Sequence, residues 1–191
     1  MQQLSMLVLG ENVGLPPGYL LTRTKGERVY ELVKTSLLSL PEGESLYLDF
    51  AEVYAMDVSF VDEAIIRLAK GIVDDRYGQR RLVLHHLSQD ATDNLNAAIA
   101  LQNLTLALFS MQSDGSWQLV GHLEKSLQQV LTMIMARREI TAPQLAAELE
   151  LALNAANNRL KRLYDQRLIQ RRYEVTDKGL LYIYYVWPWE E

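Results

Sequence analysis

Along the first half of the chain the apolar positions switch repeatedly between the short period of a strand and the longer period of a helix. LSMLVL (4–9) has the density of a buried strand, and YLLTR after the Pro16-Pro17-Gly18 turn is extended. GERVYELVKTSLLSL then carries Val29, Leu32, Val33 and Leu37 at helical spacing and closes at Pro41-Glu42-Gly43. SLYLDF is a second buried-type strand. From AMDVSFVDEAIIRL a helix runs to about Tyr77-Gly78, with Val61, Ala64, Ile65, Leu68 and Ile72 inside and Glu63, Arg67, Lys70 and Asp74 outside. RRLVLHHL reads as a strand, DATDNLNAAIALQN as a helix, and TLALFSM follows. The order β-α-β-α-β-α-β predicts an α/β domain with parallel strand pairs, because crossovers between parallel strands need connections of this length.

Beyond SDGSWQLVG the pattern becomes mostly helical. Gly and Ser around Asp114 mark this stretch as the domain boundary, dividing the chain into 1–115 and 116–191. HLEKSLQQVLTMIMARR puts Leu123, Leu127, Val130, Leu131 and Ile134 on one face. In TAPQLAAELE, Thr141 precedes Gln144 by three residues, a capping-box spacing, and Pro143 suits a first turn. Asn154 is positioned to cap a third helix, with Ala156, Leu160 and Leu163 inward and Asn158, Lys161, Arg162 and Asp165 outward. QRRYEVT and LLYIYYVW then predict a hairpin about Asp177-Lys178-Gly179. The tail is apolar or aromatic on both strand faces, more than a half-exposed strand requires. Part of it is therefore expected against another surface, in a homodimer or on the first domain.

Composition narrows the class. With 49% hydrophobic and 23% charged residues the chain is long enough and apolar enough to bury a core. Cys 0 removes disulfides, thiolate metal sites and cysteine nucleophiles, which fits a reducing compartment. The start MQQLSMLVLGEN lacks a basic n-region, and no apolar stretch approaches the roughly 18 residues of a membrane helix. The expected location is cytoplasmic. The net charge of −5 is unevenly spread: 1–115 carries nine Lys+Arg against fifteen Asp+Glu, and 116–191 carries ten against nine. The acidic first half is a poor polyanion binder, and the second half has enough cations for a locally basic face.

The run ITAPQLAAELELALNAANNRLKRLYDQRLIQRRYEVTDKG resembles the winged helix-turn-helix domains of MarR-like and TrmB-like regulators over roughly the last 70 residues. The resemblance lies in the capped second helix, the third helix ending RLYDQRLI and the TDKG wing tip. It implies double-stranded DNA as partner, with the third helix in the major groove. Asn154, Asn157, Asn158, Lys161 and Arg162 would then meet bases or phosphates, and Arg171, Arg172 and Lys178 phosphates. The same fold also serves as a dimerisation or protein-docking module, so a non-DNA-binding adaptor is the alternative.

LTRTKGERVYELV and LYLDFAEVYAMDVSFVDEAIIRLAKGI resemble the STAS-like family, relatives of the STAS domains of anti-sigma-factor antagonists, over most of the first 112 residues. In those antagonists a serine two residues after an aspartate, at a helix start, is phosphorylated. Asp57-Val58-Ser59 has that spacing, with Phe60 where the antagonists have glycine. The residues admit two readings: Ser59 caps the helix, with Asp62 three residues on, or it accepts a phosphate from a kinase partner. In both, the surface around Asp57, Ser59 and Asp62 is the candidate protein-docking site.

Other chemistry is sparse. His85 and His86 at a strand end project to opposite faces, which disfavours a shared metal, and His122 stands alone. Asp49 ends a strand without a second acid, a phosphate loop or a nucleophile–base pair in the sequence around it. The chain therefore reads as a non-enzymatic regulator without cofactor or metal.

Overall fold

The computed structural model describes residues 2–177 and 179–186. The chain has a mixed α/β fold whose contacts divide it into two units, Met1–His122 and Leu123–Glu191.

In the first unit β1 (Gln2–Ser5) leads directly into α1 (Met6–Asn12). The segment expected as one strand thus splits at Ser5, whose hydroxyl accepts from the Val8 N–H at 3.3 Å and caps the helix. Met6 and Leu9, three residues apart, then bury on one side. The short β2 (Tyr19–Leu20) precedes α2 (Arg23–Ser39), whose buried face is Val29, Tyr30, Val33 and Leu37. Leu32 of the predicted face is exposed. β3 (Ser45–Asp49) and β4 (Ala55–Met56) follow. α3 (Val58–Val61) continues through a π-helical turn (Asp62–Ile66) into α4 (Arg67–Val73). All five predicted inner residues are buried, and Ile66 and Ala69 join them. β5 (Arg81–His85), α5 (Gln89–Leu101), β6 (Ala107–Met111) and β7 (Trp117–Gly121) complete the unit.

The five-stranded sheet has the order β1-β3-β5-β6-β7. Its first four strands are parallel and β7 is antiparallel to β6, with Met111 opposite Trp117. This corrects the boundary expected at 115/116. The Gly/Ser-rich stretch is the turn of a hairpin, and residues 117–121 complete the first unit's sheet. Leu46, Leu48, Leu82, Leu84, Leu108 and Val120 belong to one core with residues of α1 to α5. Gly26 lets α2 approach α3: a Cβ there would lie 2.9 Å from the Phe60 carbonyl oxygen.

The second unit begins with α6 (Lys125–Arg137), burying Leu127, Val130, Leu131 and Ile134. β8 (Glu139–Thr141), too short to leave a periodic signature, was absent from the predicted elements. α7 (Ala142–Glu148) starts with the expected capping box, in which Gln144 Oε1 accepts from the Thr141 N–H at 2.8 Å and Thr141 Oγ1 accepts from the Gln144 N–H at 3.4 Å. α8 (Leu153–Asp165) buries Ala156, Leu160 and Leu163. β9 (Ile169–Thr176) and β10 (Gly179–Val186) pair antiparallel with Thr176 opposite Gly179, and β8 pairs with β10, giving the order β8-β10-β9. Gly179 has the positive φ (109°) expected of it. No helix among the described residues is long and apolar enough to cross a membrane.

Candidate functional site

On α8 the sequence separates polar from apolar residues by helical angle. With Ala156, Leu160 and Leu163 turned inward, residues 154, 157, 158 and 161 fall on the opposite side. Asn154, Asn157, Asn158 and Lys161 are exposed there as one stripe, with Arg162 exposed at its margin. Asn154 does not cap the helix. The N-cap is Ala152, which offers no side-chain acceptor, and Asn154 is the second helical residue, two further in, and exposed. Arg171 and Arg172 are exposed on β9, while Lys178, Trp187 and the end of the predicted second strand lie outside the described residues.

Most of these cations already have acidic neighbours. Lys161 Nζ stands 2.5 Å from Asp165 Oδ2, Arg172 Nη1 2.8 Å from Glu139 Oε2, and both terminal nitrogens of Arg162 donate to Glu124, one at 2.8 Å. All three pairs are solvent-exposed, a setting in which an ion pair is worth about 0–1 kcal/mol, so exchanging carboxylate for another anion costs little. Arg171 differs. Its guanidinium lies 4.4 Å from the Tyr164 ring centroid and 4.6 Å from that of Tyr182. Partial burial works against its charge, and the oxygens of Tyr184, Tyr164 and Tyr182 more than offset this, so its pKa is raised. The tyrosines fix the planar group without neutralising it.

In the first unit the N-cap of α3 is Asp57, not Ser59. Its Oδ1 accepts from the Phe60 N–H at 2.7 Å and its Oδ2 from the Thr22 N–H at 2.8 Å, while its own N–H donates to the Leu20 carbonyl at 3.0 Å. Thr22 is held at φ 73°, and the Asp57 bond secures that unusual conformation. The helix therefore starts one residue before Ser59, and Ser59 is exposed on its second residue. Asp62 and Glu63 are gripped by Arg23, at 3.0 and 2.5 Å; Arg67 reaches Glu63 at 3.2 Å, and Gln102 donates to Asp62. Asp62, Glu63, Arg67 and Gln102 line a cleft of about 310 Å³ together with Lys70 and Arg76. Of Asp57, Ser59 and Asp62, only the serine is exposed; both aspartates are committed to the fold.

A further cluster was missed by sequence reasoning. At the carboxyl ends of β3 and β5, His86 Nδ1 lies 2.7 Å from Asp49 Oδ1, which also accepts from the Ala51 N–H at 3.0 Å, and Gln3 donates to Oδ2 at 2.8 Å. His86 has φ 54°, which turns it out of the strand's alternation and brings its ring to 5.5 Å from that of His85. The signal was available only from register: Asp49 stands opposite His85. His85 is buried, its Nε2 has no hydrogen-bond partner among the described residues, and desolvation, with the neighbouring His86, lowers its pKa. Burial pushes Asp49 upward, but the bonds from His86, Ala51 and Gln3 outweigh it and leave its pKa lowered. No group of three metal-ligating side chains occurs among the described residues.

No protein-family model matches the chain, and no curated protein matches it as a relative.

Proposed function

We propose that the protein is a DNA-binding regulator in which a STAS-like first domain controls a winged helix-turn-helix second domain. The observation that carries this reading is the exposed stripe Asn154, Asn157, Asn158 and Lys161 on α8, with Arg171 and Arg172 exposed on the neighbouring sheet. Asparagine amides hydrogen-bond the adenine edge in a major groove, and the cations displace counterions from phosphates. α7 and α8, joined by a short turn, are the helix-turn-helix of this reading, and the β9–β10 hairpin is its wing. Arg171, held rigid by two rings, loses little side-chain freedom when it meets a phosphate. The first domain takes the signal: a protein partner docks about Ser59, and by favouring one state of the chain it alters DNA affinity.

The test is fluorescence anisotropy of a labelled duplex titrated with the full chain at low salt. Binding that is weakened by Asn158→Ala and by Lys161→Ala supports the reading. Absence of binding at low salt overturns it.

A second reading, a protein-interaction adaptor or phospho-switch partner of a kinase, is favoured by the exposure of Ser59 beside a helix start already capped by Asp57. A helix N-terminus accommodates a phosphate electrostatically, and the pairing of Asp62 and Glu63 with Arg23 lessens the repulsion those acids exert. Phosphorylation of the wild type by a kinase preparation, lost in Ser59→Ala, with no duplex binding by either form, is the outcome this reading requires.

A further inference from the structure

β9 is the edge of the three-stranded sheet: among the described residues its strand neighbour is β10 alone, and every residue from Arg171 to Asp177 is exposed. An edge of this length presents a row of backbone donors and acceptors, and β9 contains neither proline nor lysine, two of the usual devices that discourage pairing. One face of the hairpin is also apolar toward its tip. Tyr173 stands opposite Tyr182 and Val175 opposite Leu180, and these four side chains share that face. Tyr173 is 62% exposed, Val175 80% and Leu180 57%. Contiguous apolar surface along a sheet edge marks an interaction site.

We propose that β9 pairs antiparallel with β9 of a second copy of this chain, about a two-fold axis through Tyr173, joining the two sheets into one of six strands. The charge pattern chooses both the occupant and the register. A two-fold through a residue keeps like-directed backbone groups opposite one another, whereas one between residues sets outward-directed groups against inward-directed ones. Centred on Arg172 the pairing opposes Arg172 to its own copy, and centred on Glu174 it opposes Glu174 to its own copy. Both place like charges face to face. Centred on Tyr173 it sets Arg172 against Glu174 twice, Arg171 against Val175 twice, and tyrosine against tyrosine. Of these three registers only the one centred on Tyr173 is complementary to itself. The two apolar patches then meet across the new seam and form a continuous band, while the α8 stripe takes no part. This pairing does not depend on the DNA-binding reading; it engages Arg172 with Glu174 of the copy and leaves phosphate contact to the α8 stripe and Arg171.

The experiment is sedimentation equilibrium of the full chain, without nucleic acid, over a concentration series. The wild type is expected to form a dimer. Glu174→Arg, which sets arginine against arginine twice, should raise the dissociation constant by about tenfold or more, and Arg172→Glu combined with Glu174→Arg should restore it. Circular dichroism confirms that each variant is folded. Because the chain has Cys 0, a single Tyr173→Cys gives an independent readout of register. Directly opposed residues of an antiparallel pair lie within disulfide range, so it should cross-link on oxidation, whereas Thr176→Cys should not. A monomeric wild type, a dimer indifferent to Glu174→Arg in the folded chain, or cross-linking through residue 176 rather than 173 overturns the proposal.

Discussion

The carboxylate of Asp49 and the imidazole of His86 meet at 2.7 Å across the carboxyl ends of two adjacent parallel strands, with Gln3 of a third strand bonded to the same carboxylate. The three strands are therefore tied through one side chain. Asp49→Ala leaves the Ala51 N–H, Gln3 and His86 without their acceptor in a half-buried setting. It should destabilise the first unit by about 1–3 kcal/mol, read as a lower urea midpoint of the full chain by circular dichroism.

The same corner predicts acid sensitivity. Asp49 has a lowered pKa in the fold, so its contribution is complete above its unfolded value near 4 and is lost as pH falls through the lower folded value. His85 is also lowered, which for a base means that the unfolded chain takes up the proton first. Its contribution is complete above about 6.5 and is lost as pH falls below that. The urea midpoint should drop between about pH 7.5 and 5.5, and His85→Phe, which cannot titrate, should flatten that part of the curve.

Capping separates Asp57 from Ser59. Asp57→Ala removes the acceptor for the Phe60 and Thr22 N–H groups and should cost about 1–2 kcal/mol, whereas Ser59→Ala should lie within about 0.5 kcal/mol of wild type. Equal losses in urea unfolding would assign the cap wrongly.

Gly26→Ala tests the α2–α3 contact. The added methyl meets the Phe60 backbone at 2.9 and 3.1 Å, where the neighbours cannot rotate away as a side chain would. The helix-propensity gain of about 1 kcal/mol that alanine ordinarily brings should be reversed into a net loss, visible in thermal unfolding.

Much of the fold was legible because long amphipathic helices and buried strands leave strong periodic signals. Val61, Ala64, Ile65, Leu68 and Ile72 were all placed inside correctly, and the Thr141–Gln144 capping box formed as its spacing demands. Failures fell where local pattern is ambiguous. Asp57 and Ser59 are both good caps two residues apart; Asp57 takes the Phe60 N–H and also a bond from the Thr22 N–H of a distant segment, which no local pattern reveals. LSMLVL is apolar enough for strand or helix, and Ser5 decides it. The Gly/Ser cluster about Asp114 marks a turn, and whether a turn ends a domain depends on whether the next strand pairs backward, as β7 does with β6. The Asp49–His86 pair required strand register, which no single segment contains.

Contact of the α8 stripe and Arg171 with a polyanion is read out by the salt dependence of duplex affinity for the full chain. The logarithm of the binding constant should fall linearly with the logarithm of salt concentration, and Lys161→Ala and Arg171→Ala should each weaken binding and reduce the slope by about one. Undetectable duplex binding at low salt, or a slope unchanged in both variants, would contradict the account.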